Sequence, residues 1–181
     1  SFESYHHRWY NLRGDVTIHD GNTFSDGDAW NARIAVFGGT IENYTLHHTA
    51  IDTHENSTCK NLTLVDHSSL GIRGGTIENV EVGDNSHIFL TPIVNQDGEY
   101  INLLEHAKNV NVRKSAWIAL YYHEEAEIPS IEGLTIEDGV HIHTTLCDND
   151  DVEHDTIKVY YKNNLLGVSE YNKITNNEET K

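Results

Sequence analysis

The sequence predicts an all-β protein, a right-handed parallel β-helix (β-solenoid) with coils of about 18 residues and inserted loops. Three observations predict it. Apolar pairs recur at a six-residue step: Leu62 and Leu64 lead to Leu70 and Ile72, Val80 and Val82 to Ile88 and Leu90, Val110 and Val112 to Ile118 and Leu120. Asn43, Asn61 and Asn79 lie 18 residues apart, and Asn109 follows after 30. Turn formers fall between the apolar pairs, at Asp20-Gly21, Gly74-Gly75, Asp97-Gly98 and Asp138-Gly139.

Each element follows from alternation, because successive residues of a strand point to opposite faces. Val16 and Ile18 open the series, followed by Phe24. Tyr44 and Leu46 lead to Ile51 and break the step by one residue. Leu134 and Ile136 lead to Ile142, and Ile157 and Val159 to Leu165. The segments from Gly39, Ser57 and Gly75 share the order apolar, any, Asn, apolar, any, apolar, and Ala107–Val112 repeats it. The asparagines are bend residues, since Asn tolerates left-handed backbone angles. Stacked bends allow their side chains to hydrogen-bond to one another. Gly133 takes the place of Asn in the next coil. Cys59 occupies the position of Ile41 and Ile77 and is expected to be a small buried hydrophobe. Only Glu99–Lys108 has spacing compatible with a short helix. Residues 1–181 form one domain, with 1–15 and 166–181 as capping or assembly segments.

Two other all-β arrangements compete. A jelly roll accounts for alternation but not for aligned asparagines. A left-handed hexapeptide solenoid needs an aliphatic residue every six positions, and the interval from Leu70 to Ile77 is seven while that from Ile77 to Val82 is five.

Composition narrows function. The chain has 181 residues and a formal net charge of −17. That balance opposes nucleic acid and anionic membranes, which need clustered Lys and Arg. No apolar run reaches the ~20 residues of a membrane span. Acidity suits calcium, cationic partners or an extracellular surface. With no methionine, the chain is expected to be processed or cut from a longer polypeptide.

The segments Gly38–Leu46 and Gly74–Val82, with paired glycine, Thr and then Asn before an apolar pair, resemble the repeats of AIDA-type autotransporter adhesin passengers. The resemblance covers about residues 38–144. It implies a right-handed β-helix at a bacterial surface, self-association between cells, and adhesion to host glycans or surface proteins.

Several residues carry candidate chemistry. Exposed Trp30, Trp117, Tyr121 and Tyr122 are platforms for sugars or protein partners. His141 and His143 share one strand face, a spacing that fits a metal, with Asp148 and Asp150 nearby. Asp20, Asp26 and Asp28 form an oxygen-rich segment of the kind calcium selects. No cofactor is required by the reading. Glu42 and Glu78, with Lys60 between, line one face two coils apart; they read either as an inter-coil charge ladder or as paired carboxylates of a polysaccharide-processing enzyme. The leading expectation is an adhesion or self-assembly module that associates with itself, end to end, at the cell surface. A lyase or tailspike-like glycosidase is the alternative, and a hexapeptide-type acyltransferase a third.

Overall fold

One turn shows how the chain coils. Thr40–Glu42 runs straight with Ile41 inward. Asn43 adopts φ 60° and turns the backbone. Tyr44–His47 runs straight with Tyr44 and Leu46 inward, and His48, at φ 46°, turns it again. A third run, Ala50–Thr53, buries Ile51 and Thr53 before a turn at 54–57. Three short sides therefore make one turn, and each side buries alternate residues.

The computed structural model describes residues 4–122, 131–137, 140–146, 158–161 and 164–167. The strands in chain order are β1 (Tyr5–Arg8), β2 (Leu12–His19), β3 (Asn22–Phe37), β4 (Thr40–His47), β5 (Ala50–Thr53), β6 (Thr58–Val65), β7 (Ser69–Ile72), β8 (Gly74–Val82) and β9 (His87–Leu90). They continue as β10 (Ile93–Val94), β11 (Tyr100–Ile101), β12 (Leu103–Val112), β13 (Trp117–Tyr122), β14 (Thr135–Ile136), β15 (His141–Leu146), β16 (Lys158–Tyr161) and β17 (Asn164–Gly167). The large sheet is parallel and runs β14-β12-β8-β6-β4-β3-β5-β7-β9-β13-β15. The long β3 serves both wings, and β1 and β2 pair with it as the preceding coil. The result is a β-solenoid of about five turns.

The register confirms the spacing. Tyr44 lies on Leu62, Leu62 on Val80, and Val80 on Val110, in one buried column. Ile41, Cys59 and Ile77 form a second, so Cys59 is a buried hydrophobe; burial pushes its thiol up to about 12 and removes thiolate reactivity. Ile34, Ile51, Leu70, Ile88 and Ile118 form a third. Each fully buried aliphatic side chain stabilises by about 1.5–3 kcal/mol, and no single turn can cover its own.

Polar ladders fix the bends. Asn43 Nδ2 donates to Asp26 Oδ1 at 2.9 Å, Asn61 to Asn43 at 2.8 Å, Asn79 to Asn61 at 3.0 Å and Asn109 to Asn79 at 3.0 Å. Asp26 and all four asparagines have positive φ, as does Gly133 above Asn109. Inside the second bend, Thr49 N donates to Ser68 Oγ and Ser68 N to Ser86 Oγ, which satisfies buried backbone groups. Among the described residues Tyr44 is the one large polar side chain in the core. Its ring lies beside Gly27, where a Cβ would come 2.9 Å from it, and its hydroxyl donates to the Tyr10 carbonyl at 2.6 Å. Burial foremost, then Asp26, raises its hydroxyl to about 12.

Two expectations are corrected. The Glu99–Lys108 stretch is not helical: Tyr100–Ile101 closes a hairpin on Ile93–Val94, and Leu103 onward pairs with β8. Backbone pairing to an existing edge overrides weak helical spacing. The step Ile157, Val159, Leu165 does not form another coil, because β16 and β17 pair antiparallel with each other. Residues 5–15 stack as the first coil, and those beyond Gly167 lie outside the described residues.

Candidate functional site

The outward residues of the third side form three columns. The first holds Ala50, Ser69, His87 and Trp117, in register. The second holds Ala35, Asp52, Gly71 and Phe89. The third follows the corner. His19 pairs with Phe37, and backbone bonds carry the ladder from Val36 to His54, Thr53 to Arg73 and Ile72 to Thr91. Small residues form the floor at Ala35, Ala50, Ser69 and Gly71, while rings rise at the corner and at one end.

The rings contact one another. His87 stacks on Trp117 with centroids 3.9 Å apart, and Phe89 meets Tyr121 edge to face at 6.1 Å. Phe89 lies across Gly71, where a Cβ would come within 2.4 Å of its ring. The Arg73 guanidinium carbon sits 5.7 Å from the Phe89 centroid, with Nε 3.6 Å from Asp52. Along the corner, Phe37 stacks on His54 at 4.0 Å. Burial lowers the pKa of His87. Burial also lowers that of His54, with Arg73 adding to the effect and Asp52 opposing it.

Two hollows meet at Arg73. One, of about 330 Å³, lies among Arg73, His87, Phe89, Thr91, Trp117 and Tyr121. The other, of about 350 Å³, is lined by Phe37, His54, Arg73, Asp20, Glu55 and Asn56, with Ile93 and Leu103 from the inserted hairpin region. Both fall in the size range of small-molecule sites. Aromatic walls, one guanidinium and neutral imidazoles suit recognition by stacking and hydrogen bonding.

The predicted site residues divide among the sides. Trp117 and Tyr121 come together in the first hollow. Tyr122 follows on β13, and its side chain lies outside the described residues. Trp30 is on the second side, stacked on His47 at 3.7 Å, away from Trp117. Glu42, Lys60 and Glu78 form one column on the first side, and Lys108 and Glu132 extend it. Signs alternate along that column. Lys60 Nζ is 3.8 Å from Glu78, and Glu42 accepts from the Ser25 hydroxyl. It is a charge ladder on a different side from the rings, so Trp117 does not complete a groove around these carboxylates.

Asp20, Asp26 and Asp28 do not converge. Asp20 lies against Gly38 at one corner, Asp26 accepts from Asn43 at the next, and Asp28 faces His47 on the second side at 3.6 Å. His141 and His143 continue the first two outward columns in register with Trp117 and Ala119. Asp148 and Asp150 lie outside the described residues. Among the described residues no group of three or more His, Cys, Asp or Glu is placed to hold a metal ion, and no helix is long and apolar enough to cross a membrane.

Sequence reasoning missed Phe37, His54, Arg73, His87 and Phe89. A signal existed. The 30-residue offset from Asn79 to Asn109 also carries His87 to Trp117 and Thr91 to Tyr121.

Stacked parallel coils with a ring-lined outer side define a β-solenoid. No protein family, curated protein or solved structure matches the chain.

Proposed function

We propose that this chain is an extracellular or cell-surface adhesion module that binds a glycan along the third side of its solenoid. One observation carries the reading: Trp117, His87, Phe89, Tyr121 and Arg73 converge around a hollow on the third side. Flat rings with polar edges stack on the apolar faces of sugars, and a preformed parallel scaffold holds them without ordering cost on binding. The resemblance of Gly38–Leu46 and Gly74–Val82 to AIDA-type adhesin repeats supports the same class. Self-association is part of the proposal: the first coil, β1 and β2, is an edge of the sheet, as β14 and β15 are at the other end, and Trp9 beside the first coil is 80% exposed.

The test is glycan-array binding of the purified chain, followed by calorimetry on the best oligosaccharide. Trp117→Ala should weaken affinity at least about tenfold, the loss expected for an anchoring aromatic. Binding that survives both Trp117→Ala and Phe89→Ala would move the site elsewhere.

A further inference from the structure

The charge around the two hollows is uneven. In the hollow that holds Trp117, Arg73 is the one charged residue among the described residues of the lining. Beyond Arg73, the neighbouring hollow carries Asp20 and Glu55. An anion is therefore favoured on the Trp117 side and opposed on the other. Arg113, by contrast, is held between two carboxylates, 2.9 Å from Glu81 and 3.1 Å from Glu137. Arg73 has only the looser 3.6 Å approach of its Nε to Asp52, and its guanidinium sits over a ring. Burial keeps His87 below the ordinary histidine range, so the imidazole adds no fixed charge near neutrality.

We infer that this hollow takes a carboxylated sugar, a uronic-acid-type ring whose carboxylate meets the Arg73 guanidinium while its apolar face lies on Phe89. The inference rests on the glycan reading above and names its ligand class. A guanidinium presents a planar fork that matches a carboxylate. A ring beside that fork selects a flat, partly apolar body carrying the acid. The two hollows share Arg73, so a sugar chain continues past it, and its next unit meets Asp20 and Glu55. That unit must be neutral or bear its acid elsewhere.

Calorimetry with three probes tests this: a polyuronate oligomer, the same oligomer with its carboxyls reduced, and an acidic peptide of equal charge. The unmodified chain should bind the polyuronate at least about tenfold more tightly than either other probe. Arg73→Gln should remove that preference, so that the polyuronate and its reduced form bind alike. Arg33→Gln, on the same side but outside the hollow, should change nothing. Arg73→Lys keeps charge and stem without the fork; it should lose severalfold and stands in if the Gln variant unfolds. Equal binding of the polyuronate and its reduced form overturns the inference but leaves a glycan site. Equal binding of the acidic peptide overturns it as well, since charge alone would suffice. Failure of every oligosaccharide to bind overturns both readings.

Discussion

Asparagine at the first bend has two separable roles. Its backbone accepts a left-handed angle, and its amide both donates to the turn before and accepts from the turn after. Asn61 does both, with Asn43 and Asn79 as partners. Asn61→Gly keeps the angle and loses the two exposed hydrogen bonds, a cost of about 1 kcal/mol. Asn61→Ala adds the left-handed penalty of an L residue, about 1–2 kcal/mol more. Urea denaturation of the pair reads both contributions; a Gly variant as stable as the parent would mean the side-chain ladder contributes nothing. This bend was legible in the sequence because Asn and Gly are the residues that most readily take a left-handed angle. The aspartate that begins the ladder was not: Asp26, within an acidic segment, suggests calcium, yet its oxygen is committed to Asn43.

At the level of the strand, what a side chain faces decides how readable it is. Inward residues obey a dry environment and therefore a period of two, so Leu62, Val80 and Val110 could be aligned by sequence alone. Outward residues obey no apolar rule. Trp30 and Trp117 look alike as residues, yet the three-sided coil places them on different sides. His54 and Arg73 are 19 residues apart rather than 18, because the turn at that corner varies in length, and this hid their adjacency. The column Glu42, Lys60, Glu78 was visible but ambiguous, and register with Lys108 shows its alternating sign. Gly71 illustrates the same point in β7: its missing side chain leaves room for Phe89. Gly71→Ala would bring a Cβ 2.4 Å from both the Phe89 ring and an Asp52 oxygen. Both neighbours are side chains that can move, so the variant should fold, with altered near-ultraviolet dichroism and severalfold weaker sugar binding. An unchanged aromatic spectrum would show that Phe89 does not rest there.

Over the whole molecule, acid response follows from two histidines of the third side. His54 and His87 are lowered from 6.5, chiefly by burial. The unfolded chain takes up their protons first as pH falls. Stability is therefore complete above about pH 6.5 and declines below it, toward the lower folded values. Melting temperature should drop between about pH 7.5 and about pH 5.5, a range above carboxylate titration. The His54→Asn, His87→Asn double variant should flatten that slope; an unchanged slope would assign it to other groups. A different consequence concerns the detour from Thr91 to Asn102. The chain leaves the stack, closes a small hairpin and returns to the same columns, with only a local irregularity between Leu104 and His106. Because coils on either side meet their neighbours independently, that excursion can be lengthened or exchanged without renegotiating the core. The spine and what it displays are free to evolve at different rates.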